Sequence, residues 1–323
     1  MPSPSSSLAT LRPDIADSLM EFNLAMDREG FIGHRVLPVF EVAKKSGTFG
    51  KIPIKQLLQT RDTLRAPGSG YSRGKYKFEP ASYACEEHGA EEPVDDTESE
   101  MYREYFDAEM VSGQRALDAV LRNAEIRAAA LVFNATTWTS HTTAVTNEWD
   151  DFTNADPAED ILAAAKLIYA ASGLWPNALV VNIKVRKNLA HCASIIDRAK
   201  SQGFMDVRPG NVNDAALAAA LDIEQLIVAG SPKNTANEGQ AVAISPIWSD
   251  EYASLTRVAR TNDIKEPCVG RTFHWSADGS TIGGTVEDYR DESVRSKIIR
   301  ARHDVDELVL HVESTHLLSN ITT

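Results

Sequence analysis

A long stretch in the first half of the chain constrains the fold most strongly, because it predicts one continuous helix. Residues 97–100 (TESE) have the pattern of a capping box, which marks a helix N-terminus. Apolar residues then recur at helical spacing, among them Leu117, Val120 and Ala128, and no proline interrupts them. A helix over about 98–133 would be roughly 50 Å long. Its apolar stripe does not follow a strict heptad, so we expect the helix to lie along a sheet and not in a coiled coil.

Two blocks of opposite charge come one after the other in the sequence, and the second overlaps the start of this helix. Residues 35–77 contain ten basic side chains against two acidic ones, and residues 86–109 contain eleven acidic side chains against one basic one. Like-charge blocks of this size often belong to interaction surfaces. The other interpretation is that they form two solvated faces of one domain.

The basic block also contains an extended segment without an apolar face of its own. Short β-prone pieces surround a turn-rich tip at residues 65–70 (RAPGSG). The pieces are Thr48–Ile54, Lys75–Phe78 and Ser82–Cys85. A two-stranded ribbon is marginally stable alone in water, so we expect this one to rest on another surface, for which a neighbouring subunit is the obvious candidate.

The second half of the chain has a compact α/β pattern. Asp156-Pro157 predicts a helix start and Gly173 its end. Further helices are expected at 184–192 and 214–221, and strands at 178–181, 226–229 and 252–258. The last 50 or so residues become β-rich again, at 298–305 and 308–312. This order suggests that the chain leaves one domain, builds a second and returns to the first.

Composition limits the classes of function. The 323 residues are 43% hydrophobic, enough for one large domain or two ordinary ones. The net charge of −13 excludes a general DNA-coating protein, because phosphate binding needs a basic surface. Three well-separated cysteines suit a reducing compartment. No stretch approaches the roughly 18 apolar residues of a membrane span, and Met1–Leu11 reads as a flexible Ser/Pro-rich arm, not as a signal peptide.

The usual motifs of catalysis and metal binding are not found in the sequence. None of the eight histidines forms HExxH, and His311 and His316 are expected on opposite faces of a strand. The glycines of residues 68–74 (GSGYSRG) miss the spacing of a dinucleotide-binding loop, so a loop tip is the better interpretation. We therefore predict no catalytic residue, no cofactor, no metal site and no enzymatic activity.

The order of these parts resembles the major capsid proteins of tailed bacteriophages, which share the Hong Kong 97-type coat fold. Short strings along nearly the whole chain from about Leu19 carry the resemblance. They are LMEF (19–22), GFIG (30–33), VLPVF (36–40), EEHG (86–89), EPVDD (92–96), FNATTW (133–138), GLWPNA (173–178), KNTANEG (233–239), IWSDEYA (247–253) and GRTFHW (270–275). Each string is weak alone, and their order and coverage make the match.

The resemblance implies an α+β fold with five parts. They are an N-terminal arm (1–44), an extended β-hairpin loop (45–96), a spine helix and linker of the peripheral domain (97–149), an α/β axial domain (150–260) and the β-rich C-terminal part of the peripheral domain (261–323). Some relatives carry an N-terminal scaffolding segment, for which this chain has no room, so any scaffold is expected to be a separate protein. Some also crosslink a loop lysine to an asparagine of another subunit; this loop has Lys75 and Lys77, but the asparagine and its assisting carboxylate have no match in the sequence.

The function that the resemblance implies is an icosahedral shell around double-stranded DNA. The partners would be many copies of the chain, as pentamers and hexamers, with a portal and in some cases a decoration protein. The shell would be part of the virion, assembled in the cytoplasm of a bacterial host, with no role for a membrane and no sequence-specific DNA binding. Two alternatives remain: the shell of a protein-packaging nanocompartment, and an enzyme with an α/β domain.

The charge blocks suggest how copies would meet. The basic loop of one subunit would lie on the acidic segment of its neighbour, giving register and partner choice more than affinity. The basic residues are Arg61, Arg65, Arg73, Lys75 and Lys77, and the acidic ones are Glu91, Glu92, Asp95, Asp96 and Glu98.

Overall fold

A computed structural model describes residues 10–11, 30–51, 53–75, 77, 79–102, 108–201, 212–237 and 239–322. Most of the expected N-terminal arm, including the LMEF string, lies outside the described residues, as do the side chains of Lys55, Leu57, Glu98 and Tyr102. None of the described helices is long and apolar enough to cross a membrane.

The described elements form two large sheets, two small hairpins and the helices packed on them. The strands are β1 (Thr10–Leu11), β2 (Val39–Val42), β3 (Ser46–Lys51), β4 (Glu79–Ala84), β5 (Glu86–Asp95), β6 (Thr142–Ala144), β7 (Ala178–Asn182), β8 (Gln225–Ala229), β9 (Pro232–Asn234), β10 (Ile244–Pro246), β11 (Tyr252–Thr256), β12 (Gly270–Trp275), β13 (Thr285–Asp291), β14 (Ser296–Val309) and β15 (Thr315–Ser319). The helices are α1 (Gly33–Val36), α2 (Ile54–Leu57), α3 (Asp96–Tyr102), α4 (Ala108–Val132), α5 (Pro157–Ser172), α6 (Ile183–Leu189), α7 (Ala193–Ser201) and α8 (Asp214–Ala220).

A six-stranded sheet is built around the long strand β14. Its order is β1-β13-β14-β12-β2, and β5 also pairs with β14. The β5–β14 ladder is antiparallel and runs from Glu86↔Val305 to Asp95↔Ser296. The acidic residues 86–95, which we expected within the extended loop, thus form a strand of this sheet. The strand with which they pair, β14, lies some two hundred residues further along the chain, so no local sequence pattern could indicate the pairing.

The helix α4 lies along this sheet, as the apolar spacing predicted. Leu117 and Val120 pack against Ile299 and Ala301 of β14. The helical segment begins with α3 at Asp96, two residues earlier than the capping box predicted, and the Asp95 carboxylate accepts a hydrogen bond from the Thr97 amide at 2.7 Å. Residues 103–107, between α3 and α4, lie outside the described part of the chain.

A five-stranded sheet carries the α/β part of the chain, in the order β6-β15-β11-β7-β8. The helix α5 has the predicted ends: the Asp156 side chain accepts a hydrogen bond from the Glu159 amide, and Gly173 closes the helix with φ of 71°. The tail does not simply return to the first sheet. After β14 a short 3-10 helix (Val312–Ser314) turns the chain, and β15 inserts between β11 and β6. His311 and His316 therefore do not share a strand.

The base of the extended loop packs on its own chain. Strands β3 and β4 form an antiparallel pair. The Tyr83 ring stacks on Phe273 of β12 at 4.9 Å between ring centroids, and Phe49 lies 6.0 Å from the same ring. The ribbon therefore has an apolar support within the subunit at its base. The sequence made a neighbouring subunit the obvious candidate for this support, whereas at the base of the loop a strand of the same chain supplies it.

Candidate subunit interface

The outer part of the extended loop, residues 58–75, leaves the core of its own subunit, and at its base the Leu58 side chain lies beside Gly173 at the end of α5. All of these residues are exposed, and Leu64 is 89% exposed. We call this segment the exposed loop. A single exposed leucine is common on protein surfaces, but this one belongs to a basic segment that leaves the core of its own subunit. The exposed loop is therefore the first candidate for a contact with another molecule.

The tip of the exposed loop has a defined conformation even so. Arg65 donates from Nε to the Ser69 carbonyl at 2.7 Å, and its guanidinium lies 4.7 Å from the centroid of the Tyr71 ring. Gly68, with φ of 84°, allows the turn between them. These local contacts hold the tip in shape without help from the rest of the subunit.

The five basic residues singled out from the sequence all lie in or beside the exposed loop. The Arg61 guanidinium lies against Gly74, where an added Cβ would meet it at 1.3 Å, so the outgoing and returning arms run side by side. Arg73, Lys75 and Lys77 are exposed, and their side chains form no ion pair with any described residue. Their charges are open to an external partner.

The acidic residues singled out from the sequence are mostly engaged within the subunit. Arg290 donates two hydrogen bonds to Asp96, at 2.5 and 2.7 Å, and this contact lowers the pKa of the Asp96 carboxyl. Glu91 accepts a hydrogen bond from the Tyr289 hydroxyl at 3.2 Å and lies 3.8 Å from Arg300.

The remaining members of the acidic set also have local roles where they are described. Glu92 lies 3.9 Å from Arg115, and Asp95 caps α3. The Glu98 side chain is outside the described residues. Beyond the predicted set, Glu109 accepts a hydrogen bond from Lys297 at 2.7 Å. Most of the acidic block therefore ties β5, α3 and α4 to β13 and β14.

Two carboxylates of the acidic block that were not among the predicted interface residues have no ion-pair partner in the described subunit. Glu86 and Glu87, at the start of β5, are exposed and form no ion pair with a described side chain. They belong to the same acidic block as Glu91 and Asp96. The engaged carboxylates are distinguished from the open ones by partners on β13, β14 and α4, most of them far away in the sequence, so no local signal could have separated the two groups.

A cleft of about 440 Å³ lies beside Glu87, between β5 and α4. Its lining residues are Glu87, His88, Gly89, Ala90, Val120, Asn123, Ile126 and Arg127. Arg127 donates to both carboxylate oxygens of Glu307, at 2.9 and 3.1 Å. Burial and the charge of Arg127 lower the pKa of His88, which keeps its ring neutral near pH 7. Glu87 is thus the one charge of the lining without an ion-pair partner among the described residues.

No grouping of metal-binding side chains is present among the residues that the structure describes. Burial raises the pKa of the Cys85 and Cys192 thiols to about 11, so they are protonated at neutral pH.

No protein-family model and no curated protein sequence matches the chain. Solved structures do match it along most of its length. A phage-related protein from Bordetella bronchiseptica is 20% identical and has a TM-score of 0.69, over 97% of this chain and 98% of that one. The capsid of the cyanophage P-SCSP1u is 12% identical with a TM-score of 0.63, over 90% and 88%. A virus-like particle from Pyrococcus furiosus is 12% identical with a TM-score of 0.54, over 94% and 98%.

These likenesses concern the fold. The chain has the mixed helix-and-sheet fold of phage capsid proteins, the Hong Kong 97-type fold that the resemblance implied.

Proposed function

We propose that this chain is a major capsid protein that self-assembles into an icosahedral shell enclosing double-stranded phage DNA. The observation that carries the proposal is the exposed loop: a basic segment with a shaped tip, an uncovered leucine and three cations without an ion-pair partner in the described subunit. The capsid fold supports the same conclusion. Closed shells need repeated contacts between unlike surfaces of one subunit, and a loop that reaches away from its own core can supply one.

The remaining parts follow from the same proposal. The arm, extended loop, peripheral domain and axial domain are those given above, except that residues 86–95 belong to the six-stranded sheet and β6 and β15 belong to the five-stranded sheet. The axial domains meet around the five-fold and six-fold axes as pentamers and hexamers. A separate scaffolding protein, a portal and in some cases a decoration protein complete the particle, which is assembled in the host cytoplasm. The net charge of −13 suits a lining that encloses DNA without gripping it.

Between subunits, the basic residues face the acidic segment of the neighbour, residues 86–109. Glu86 and Glu87 are the members that remain open in the described subunit. Exposed ion pairs contribute little stability each. Their benefit is the choice of partner and register.

Charge reversal in the exposed loop tests the proposal. The triple variant Arg61→Glu, Arg65→Glu and Arg73→Glu should abolish or slow shell assembly, because it replaces attraction to the acidic segment with repulsion. A matched control reverses three exposed lysines elsewhere, Lys166, Lys187 and Lys265. Negative-stain electron microscopy and sedimentation measure assembly, and circular dichroism checks the fold. Normal particles from the loop variant would contradict the proposed contact.

A second candidate function keeps the shell and changes the cargo. The structures that share the fold include a virus-like particle from Pyrococcus furiosus as well as a phage capsid, and a fold alone does not select the cargo, so the second candidate is a nanocompartment that packages protein. Particles purified from their natural source distinguish the two. Nuclease-protected DNA inside supports the capsid, whereas a co-purifying enzyme inside the shell supports the nanocompartment.

A further inference from the structure

We propose that Lys45 and Asp304 form a latch that sets the direction in which the extended loop leaves its own subunit. The latch lies at the base of the loop, where the β3–β4 hairpin joins the six-stranded sheet. The inference rests on the proposed function only for its effect on shells, because a loop that contacts other subunits has to leave its own at a defined angle.

The hairpin is attached to the rest of the subunit at a narrow base. Lys45 immediately precedes β3 and Cys85 immediately follows β4, and the Cys85 amide donates a hydrogen bond to the Lys45 carbonyl at 2.8 Å. Beyond this pair, β3 and β4 form a two-stranded sheet that is separate from the six-stranded one. A small rotation at the base therefore moves the exposed loop through a much larger distance.

Three contacts seat the base of the hairpin on β12 and β14. One is the stack of an aromatic ring of β4 on Phe273, with an angle of 5° between the ring planes. In the second, the Ala84 amide donates a hydrogen bond to the Asp306 carboxylate at 2.9 Å. In the third, Lys45 Nζ lies 2.7 Å from the Asp304 carboxylate. Stacked rings can turn about their common axis and keep most of their contact area. The two polar contacts depend on direction, so they decide the angle of the hairpin.

The ion pair of the latch joins a buried carboxylate to a half-exposed cation. The Asp304 side chain is 1% exposed, whereas that of Lys45 is 46% exposed. Because a buried carboxylate without a cation is costly, Asp304 holds Lys45 in one place, and the hydrogen bond between them raises the pKa of Lys45. Arg302, which pairs with Glu287 at 2.8 Å, lies 3.5 Å from the other oxygen of Asp304. When Lys45 moves away, Asp304 keeps this cation nearby, so the latch can open without leaving a buried charge alone.

Pulsed electron paramagnetic resonance on unassembled subunits measures the direction of the hairpin. Nitroxide labels are attached at Glu79→Cys, at the outer end of β4, and at Val294→Cys, in the exposed turn between β13 and β14. The native cysteines are buried, so the labels react at the introduced sites. With Lys45 present, we expect one narrow distribution of distances between the labels. Lys45→Met should widen it about twofold or more, because the hairpin then turns about its base.

Three further variants separate the direction of the hairpin from its stability. Lys44→Met removes the same charge one position earlier, from an exposed residue without an ion pair to a described side chain, and should leave the distribution unchanged. Lys45→Arg keeps a cation beside Asp304 and should keep most of the narrow distribution. Asp306→Ala removes the second polar contact and should widen the distribution as Lys45→Met does. Circular dichroism checks that each variant is folded.

Electron microscopy of assembled particles gives a second readout. Wild-type shells should have one diameter, since every loop leaves its subunit at the same angle. Lys45→Met should give a mixture of diameters or open fragments, because contacts made at several angles do not close into one shell. Lys44→Met should give the wild-type particles.

The outcomes distinguish the latch from the proposed function. Narrow distance distributions in both Lys45→Met and Asp306→Ala would overturn the latch. Wide distributions in both, with an unchanged one in Lys44→Met, support it even if wild-type protein forms no closed shell, and in that case only the proposed function fails. If wild-type shells form and those of Lys45→Met are equally uniform, the effect of the latch on shells is overturned.

Discussion

At the scale of single residues, Glu125 joins three separate parts of the chain. Its carboxylate, buried within α4, accepts hydrogen bonds from the amides of Ile32 and Gly33, each at 2.8 Å, and from Nε1 of Trp248 at 2.5 Å. Trp248 in turn accepts, at its carbonyl, a hydrogen bond from the Asn182 side chain at the end of β7. One side chain thus links the segment before the extended loop, the long helix and the five-stranded sheet.

Removal of this carboxylate should be costly. Glu125→Ala leaves three buried donors without their acceptor, so we expect the free energy of unfolding to fall by about 3 kcal/mol or more. Urea denaturation of unassembled subunits measures this. Asn123→Ala, an exposed change on the same helix, should have little effect. A loss for Glu125→Ala of the same small size would show that water replaces the carboxylate without penalty.

At the scale of elements, helix α5 is determined by its two ends. Asp156 caps its N-terminus, Pro157 occupies the first turn and Gly173 closes it in the left-handed region. Between them, Ile161, Ala165 and Ile168 face the core of the five-stranded sheet. These signals lie within one short segment, which is why the sequence predicted them correctly.

The N-cap of α5 can be tested by paired substitutions. Asp156→Ala should lower the free energy of unfolding by about 1 kcal/mol, because the Glu159 amide loses the side-chain acceptor of the N-cap. Asp156→Ser, which can still accept this hydrogen bond, should retain most of the stability. Thermal or urea unfolding of the two variants compares them directly, and equal losses would mean that the cap contributes nothing.

At the scale of the whole molecule, buried neutral histidines make the fold sensitive to acid. Burial lowers the pKa of His88, His274, His311 and His316, and it lowers the pKa of His303 to about 3. These histidines lie in or beside both sheets. In the unfolded chain each would titrate near its ordinary pKa of about 6.5. Between the two pKa values the unfolded state binds more protons, so stability decreases as the pH falls.

We therefore expect acidification from pH 7 to pH 5 to destabilise the subunit. His303 alone should account for about 2 kcal/mol of the loss. In this range the depressed carboxyl of Asp278, with a pKa of about 2, remains ionised and does not contribute. Urea midpoints at pH 7, 6 and 5 measure the slope. His303→Gln should flatten it, and an unchanged slope in that variant would contradict the assignment.

Much of the architecture could be predicted from local patterns. The long helix against a sheet, the ends of α5 and the alternation of α/β and β-rich segments all follow from residues close together in the sequence. The ion pairs that the charged residues form within the subunit could not be predicted in this way. Asp96 and Arg290 are 194 positions apart, and Glu91 and Arg300 are brought together only by the register of β5 on β14. The same pairing with β14 places residues 86–95 in the six-stranded sheet, whereas they were expected in the extended loop.

The sequence by itself determined that a basic loop precedes an acidic segment and that the loop lacks a core over most of its length. Only the tertiary structure decided which of those charges and apolar groups stay open. Phe273 covers the base of the loop, and the arginines of β13 and β14 engage Glu91 and Asp96, whereas Leu64, Glu86 and Glu87 remain exposed. The physical reason is that caps and turns depend on neighbours within a few residues, whereas ion pairs and apolar contacts depend on strands paired across most of the chain.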